Sequence, residues 1–583
     1  MKKIVLVALL LMSLIGHGQT WESLNARPYP QWFGDAKLGI FVHWGLYSVP
    51  AYAGKEGYAE WYYRGLMVKD SGRCQIMSLY ADTAKPVFEQ YKELTKYWRA
   101  ELWNPTAWAR MFKDAGAKYV VLVTKHHDGY CLWDSPQQPE WNSVVSGPRR
   151  NIVGDLTEAV RKEGLRMGFY YSLPEWSNPR HIWMEDPDTA IGNYVANYMV
   201  PQFKELVARY KPELIFADGD WQNSATEFRS VELIDWYYKT VGPDAIVNDR
   251  WGNGTQHGFK TPEYSAGINV TDRPWAECRG FGRSFGLNRN EDLDNYLTST
   301  ELIQHFCELV AHGGGLTLNV GPYADGTIPL IQQERLRDLG KWLEVNGEAI
   351  YGSRPLSYIH AVHKPMRWSV PPSHTIDYDW VRNAPVKGMP VDNFGICWAG
   401  SFRAPAEGSY ILQVEGDDEV TVFHGDDTLL YFNHNWAENP LSRKQLHLQK
   451  DQKVSLTVLY TEKDLEASVH LTWSLDSGKT FTPIPGEWGD GLAAYDRTER
   501  VFTTKDDNLY IIEFERPGKS LTYISVPHLK KDTEITLLGT TTKLKWKQKK
   551  DGTLTIDLST LEPKELDKLN HAWVFKITNA FTH

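Results

Sequence analysis

Cysteine is scarce. The 583 residues hold five (Cys74, Cys131, Cys278, Cys307, Cys397), and their odd number and scattered spacing argue against a disulfide scaffold or a close-spaced zinc cluster. Cationic blocks are absent too: Lys+Arg 63 against Asp+Glu 73 gives a net charge of −10, which argues against an electrostatic grip on nucleic-acid phosphates. No apolar run approaches the length needed to cross a bilayer. No glycine-rich phosphate loop follows the first strand pattern, and no repeat or low-complexity linker interrupts the chain. Aromatic residues, by contrast, are plentiful, with 24 Trp and 30 Tyr. Their rings offer apolar faces with polar edges, which suit the C–H faces of sugars.

Lys2 and Lys3 precede an apolar run from Ile4 to Ile15, closed by the small residues Gly16 and Gly18. This pattern predicts an export signal over residues 1–18, too short to span a membrane, and a secreted, periplasmic protein. From Leu38 to about Gly352, short β-rich runs alternate with amphipathic helical segments. Strand–helix alternation implies a mostly parallel sheet covered by helices. The fold class predicted is α/β, with a (β/α)8-type barrel as catalytic domain over residues 19–355; an open doubly wound sheet is the alternative. Residues 356–486 and 487–583 change to short apolar–polar alternations between Gly and Asp turns, which predict two antiparallel β-sandwich domains.

In a βα barrel the chemistry gathers where strands end. Here the runs end in His43, in Lys125-His126-His127-Asp128, in Tyr171-Ser172, in Asp218 and in Asp249-Arg250, with Glu263 on a further candidate strand. Two chemistries fit. Metal-assisted hydrolysis would use His43, His126, His127 and Asp218 as ligands. Its weakness is that adjacent residues on a strand face opposite ways, which separates His126 from His127. Two-carboxylate glycoside hydrolysis needs one ionised and one protonated carboxyl group, about 5–5.5 Å apart in a retaining enzyme. The aromatic excess favours the second.

The same segments resemble a known family. KLGIFVHWG (37–45), Glu60-Trp61-Tyr62, GAKYVVLVTKHHDGYCLWDS (116–135), GFYYSLPEWSNP (168–179), IFADGDW (215–221), IVNDRWG (246–252), SFGLNRNED (284–292), LNVGPYADG (318–326) and WLEVNGEAIYGSRP (342–355) follow one another. In that order they resemble glycoside hydrolase family 29, the α-L-fucosidases, over most of residues 20–355. Residues 490–583 resemble that family's C-terminal β-sandwich. The stretch 399–430 is similar to PA14-type sandwiches, some of which bind carbohydrate through paired aspartates; here Asp417-Asp418 form either such a pair or a plain Asp-rich turn.

The resemblance implies a retaining exo-α-L-fucosidase acting on fucosylated oligosaccharides or glycoconjugates, with Asp218 as nucleophile and Glu263 as acid/base. Phe41, His43, Glu60, Trp61, His126, His127, Tyr171, Arg250 and Phe285 are then expected to bind substrate, with Phe41 and Phe285 against the C6 methyl. Lys125, Asp128 and Asp134 are expected to be supporting residues. No metal and no cofactor is expected. The chain departs from the family in carrying Phe216 two residues before the nucleophile and Trp275-Ala276-Glu277-Cys278 where others have an adjacent Trp-Glu pair. Glu277 is therefore the rival acid/base. The rival function is a catalytically inactive carbohydrate-binding protein on the same fold.

Overall fold

Alternating apolar runs and amphipathic helices assemble, in a computed structural model of the chain, around one parallel sheet. The structure describes residues 20–55, 57–178, 187–264, 273–371, 374–381, 383–391, 393–433, 441–463, 466–524, 526, 528–567 and 569–581. The expected export signal lies outside the described residues. Seven strands form the sheet: β1 (Leu38–Val42), β2 (Tyr119–Lys125), β3 (Arg166–Ser172), β4 (Leu214–Asp218), β5 (Ile246–Val247), β6 (Glu277–Arg279) and β7 (Leu316–Val320). Their order is β5-β4-β3-β2-β1-β7-β6. The sheet is curled, and the expected eighth strand is an irregular stave. Single parallel bridges Asn248–Phe259, Lys260–Trp275 and Glu263–Cys278 carry residues 259–263 between the β5 and β6 edges. Strand β5 stops after two residues because the Asn248 side chain takes over the ladder, exchanging 2.8 Å hydrogen bonds with the Ala217 N–H and C=O.

Helices α1 (Pro105–Asp114), α2 (Ile152–Lys162), α3 (Val200–Tyr210), α4 (Ser230–Val241), α5 (Ser299–Ala311) and α6 (Leu330–Asn346) cover the outside. Asn104, Asn151 and Thr298 cap α1, α2 and α5 by accepting from first-turn N–H groups. Strand periodicity of two sorts side chains into two cores. Ile40, Val42, Val120, Leu122, Tyr171, Ile215 and Ala217 face the helices. Phe41, Val121, Val123, Tyr170, Phe216 and Cys278 fill the interior.

Two antiparallel sandwiches follow. The boundary expected at 486/487 falls just ahead of a fifteen-residue strand, Gly491–Lys505, that belongs to both. It pairs with Ala361–Val370 along most of its length, with Phe394–Arg403 in the first sandwich and with Asn508–Glu513 in the second. The second sandwich is locked to the catalytic domain: Trp342 Nε1 donates to Ala572 O (3.0 Å), and Gln304 Nε2 donates to Phe514 O and His571 O (2.9 Å each). Among the described residues no helix is long and apolar enough to cross a membrane, and all five cysteines are free.

Candidate active site

At the carboxyl ends of the strands lies a pocket of about 90 Å³, lined by Phe41, His43, Tyr58, Glu60, Trp61, His126, Tyr170, Phe216, Asp218, Trp221, Arg250, Glu263, Cys278 and Phe285. Inward residues of β4 alternate as Leu214, Phe216, Asp218, so the carboxylate arrives at the strand end pointing inside. Gly219 then turns the chain at φ +91°; a Cβ there would sit 2.3 Å from Pro174 Cδ. Only glycine fits behind Asp218.

Asp218 is surrounded by donors. Tyr170 O–H donates to Oδ2 (2.7 Å), Arg250 Nη1 donates to Oδ1 (3.4 Å), and His127 Nε2 lies 3.5 Å from Oδ2. Burial alone would raise its pKa, but the contacts from His127, the Arg250 charge and the Tyr170 hydroxyl overcome that and hold the carboxyl far below the usual range. Asp218 is thus ionised. The same Arg250 Nη1 donates to Glu263 Oε2 (2.9 Å), and Tyr58 O–H donates to Glu263 Oε1 (2.8 Å). One nitrogen thus bridges both carboxyl groups and holds them together in one pocket. The guanidinium is itself clamped from behind, Nε on Thr261 Oγ1 (3.0 Å) and Nη2 on Thr261 O (2.9 Å).

The histidines present neutral, oriented rings. His43 Nδ1–H donates to Asn319 Oδ1 (2.6 Å), an orientation fixed because Asn319 Nδ2 donates to Phe285 O (2.7 Å). His43 Nε2 is left as an acceptor. Burial lowers its pKa to about 4. For His126, burial together with His127 and His43 pushes the pKa well below the imidazole value, and its ring lies parallel to Tyr170, 5.5 Å away. Glu60 is enclosed, accepts from the Gly286 N–H (2.7 Å), and is driven by burial to a pKa of about 8. It is a protonated donor at neutral pH.

Three sequence expectations change: those for Tyr171, for the separation of His126 from His127, and for His127 as a pocket residue. Tyr171 does not reach the pocket: it lies on the helix side of β3, where its O–H donates to Gln202 Oε1 (2.8 Å). Its neighbour Tyr170 is the pocket residue, because strand parity alternates and the sequence reading was off by one. The separation expected for His126 and His127 is also overturned; their rings lie 4.4 Å apart. A register shift between Val123 and Lys125 turns Lys125 outward to Glu175 (2.6 Å) and brings His126 into the pocket lining. Glu277 faces away from the pocket, bonded to His305 Nε2 at 2.7 Å, while Cys278 faces in.

His127, expected to bind substrate, does not line the pocket; it lies against Asp218 from behind the wall, its Nδ1 held by Ser172 Oγ (2.6 Å). Asp220 does not line the pocket. Asp128 supports it from outside, accepting from Tyr91 O–H (2.7 Å), and Asp134 pairs with Arg209 at the surface. Among the described residues no three His, Cys, Asp or Glu side chains cluster as metal ligands. Tyr58, Tyr170, Trp221 and Cys278 went unread in the sequence. Register against β4 sets Tyr170 beside Phe216, and alternation on β6 sets Cys278 opposite to Glu277; nothing local flags Tyr58 or Trp221, which loops deliver.

The pKa of Glu60 carries a test. Between the ordinary carboxylate range and about 8 the native state holds a proton that the unfolded chain has released, so this group's contribution to stability falls as pH rises through that window. Inhibition by free L-fucose is expected to weaken above about pH 8, where Glu60 ionises beside Asp218 and Glu263. Glu60→Gln should remove that limb and flatten the decline of melting temperature from pH 5 to 8. An unchanged fucose inhibition profile in the variant refutes the assignment.

The comparisons agree with this geometry. A family model described as alpha-L-fucosidase matches residues 15–348, a PA14 domain model matches 371–487, and an alpha-L-fucosidase C-terminal domain model matches 496–578. The chain is 40% identical over 367 residues to an alpha-L-fucosidase of Dictyostelium discoideum, covering 60% of this chain and 78% of that one. It is 39% identical over 342 residues to the tissue alpha-L-fucosidase of Homo sapiens, covering 58% and 72%. The crystal structure of Thermotoga maritima alpha-fucosidase in complex with fucose superposes with a TM-score of 0.64 at 28% identity, covering 96% of this chain and 99% of that one.

Proposed function

The chain belongs to the α-L-fucosidase family, and from that premise we propose that it is a retaining exo-enzyme removing terminal α-L-fucosyl residues, with Asp218 as nucleophile and Glu263 as acid/base. The observation that carries this reading is the shared Arg250 Nη1, which contacts the ionised carboxylate at the strand end and a second carboxyl group in the same pocket. The pocket is small, about 90 Å³, which suits one terminal sugar rather than a chain threaded through.

Fucose binds with its C6 methyl against Phe41 and Phe285, whose rings flank His43 at 4.6 and 4.9 Å. Burying that methyl contributes on the order of 1 kcal/mol. His43 Nε2 accepts from a sugar hydroxyl and Glu60 donates to one. Asp218 attacks the anomeric carbon and forms a fucosyl ester, while Glu263 gives its proton to the departing glycosidic oxygen. Glu263 then takes a proton from water as the water attacks the ester carbon and Asp218 leaves. Tyr58 and Arg250 fix the Glu263 carboxyl through both oxygens, so it swings little between the two steps. On the pattern of Lys2 to Gly18, we place the enzyme outside the cytoplasm.

Double displacement restores configuration, so the first-formed product is expected to be α-fucose. Proton NMR in the first minutes of turnover reads it, and initial β-fucose would discard the retaining assignment. Release of nitrophenol from the aryl α-L-fucoside separates the enzyme from an inactive binding protein, which binds fucose and releases nothing.

A further inference from the structure

The insert at 356–486 does more than trail the catalytic domain. Between it and the barrel lies a second cleft of about 1050 Å³, open to solvent, with Tyr264, Arg279 and Tyr296 on the barrel side and His363, Lys463 and Tyr495 on the sandwich side. The two walls are held in register by covalent and hydrogen-bonded structure. Strand Gly491–Lys505 runs continuously from the insert into the C-terminal sandwich, and that sandwich is bonded to α5 and α6. At the cleft floor Thr498 O–H, on the same strand, donates to Glu308 of α5 (2.5 Å). The cleft is a built space with fixed sides.

Its chemistry is that of a sugar-binding surface. Tyrosine rings from both walls are interleaved with Arg, Lys and His side chains, pairing apolar faces with hydrogen-bond donors. Its position follows from the reaction. A general acid must stand beside the oxygen it protonates, so Glu263 marks the side on which the aglycone leaves. The next residue, Tyr264, lines the cleft, and its ring is the partition: it packs on Phe285 of the pocket at 5.2 Å and on Tyr58 at 6.4 Å, with the Arg279 guanidinium over it at 5.5 Å. Tyr264 holds φ +53°, a left-handed conformation costly for a bulky residue. That turn lets consecutive residues serve the two cavities, Glu263 inside and Tyr264 between them.

We propose that this cleft is a glycan-binding site that holds the sugar residues beyond the one joined to fucose, so that the inserted sandwich selects fucosylated oligosaccharides by their cores. The inference rests on Glu263 being the acid/base, which fixes the aglycone side. Lys463 is half-exposed on the insert wall, and Tyr495 is half-buried across from Tyr264; neither touches the pocket.

The experiment compares wild type, Lys463→Ala and Tyr495→Ala on three substrates: an aryl α-L-fucoside, a fucosylated disaccharide, and a fucosylated pentasaccharide sharing its linkage. The wild type should favour the pentasaccharide over the disaccharide in kcat/KM. Both variants should stay within about two-fold of wild type on the two short substrates and lose roughly ten-fold on the pentasaccharide, through KM, as one lost sugar contact of about 1.4 kcal/mol would give. Calorimetric titration of the fucose-free tetrasaccharide should show binding to wild type that Lys463→Ala weakens. Equal losses on all three substrates, no preference for the longer glycan, or no tetrasaccharide binding at millimolar concentration would each overturn the proposal while leaving aryl fucoside turnover, and with it the fucosidase reading, intact. Failure on the aryl fucoside itself would instead remove the reading beneath it.

Discussion

Asp218→Gly should lower aryl fucoside turnover by about 10⁴-fold or more, a rise in the barrier of at least roughly 5.5 kcal/mol. The size follows from what is lost: without the carboxylate no ester forms, and the pocket retains only binding and charge stabilisation. The fold should survive. Arg250 keeps Glu263 and Thr261 as partners, so no buried cation is stranded, and glycine suits the turn that Gly219 continues. Circular dichroism and melting temperature check this. Removing Asp218 also leaves Tyr170 O–H and Arg250 Nη1 pointing at an empty, positively disposed space. Added azide should enter there, attack the anomeric carbon from the face opposite the aglycone, and restore rate with β-fucosyl azide as product. Retention of even a tenth of wild-type turnover, a barrier change under about 1.4 kcal/mol, would remove Asp218 from the mechanism.

How much of this was legible in the sequence depended on whether a residue lay on a regular strand. On β1 and β4 the period of two holds to the end, so His43 and Asp218 were readable as inward strand ends from pattern alone. On β3 two adjacent tyrosines precede the final Ser172, and composition cannot say which faces in; the strand's register against β4, pairing Tyr170 with Phe216 and Tyr171 with Ala217, decides it. On β2 a register shift breaks the period just before the chemistry begins, so Lys125 and His126 take faces opposite to those that plain alternation assigns. Tyr58 and Trp221 ride on loops whose paths depend on tertiary packing, the half-exposed Trp221 indole stacking on Trp61 at 5.9 Å. The stave that carries Glu263 reads in the sequence as a further candidate strand, but it is held by single bridges with no continuous ladder. The alternation of elements nonetheless marked the parallel sheet, and the change to short alternating runs after residue 355 marked the sandwiches.

Glu263→Ala should lose activity in proportion to how badly the leaving group needs a proton. On 2-chloro-4-nitrophenyl fucoside, whose phenolate departs unaided, formation of the fucosyl ester should be nearly unchanged, with hydrolysis of the ester becoming rate-limiting and accelerated by azide. On natural fucosides the departing alkoxide needs protonation, and the loss should reach about 10²–10⁴-fold, the usual worth of general acid catalysis. Glu263 earns this prediction by geometry: it lies in the pocket, shares Arg250 with Asp218, and is held through both oxygens. Glu277 has the opposite surroundings. Its carboxyl is fully buried on the outer face of β6 against His305 and Arg279, where no sugar oxygen reaches it. Glu277→Ala should therefore lower the melting temperature, by stranding His305 and opening a cavity, and change activity on both substrates equally. Measuring both variants on both substrates, with and without azide, separates the two carboxylates. Should Glu277→Ala show the leaving-group-dependent loss with azide rescue, and Glu263→Ala lose equally on every substrate, the acid/base assignment moves to Glu277 and the aglycone side moves with it.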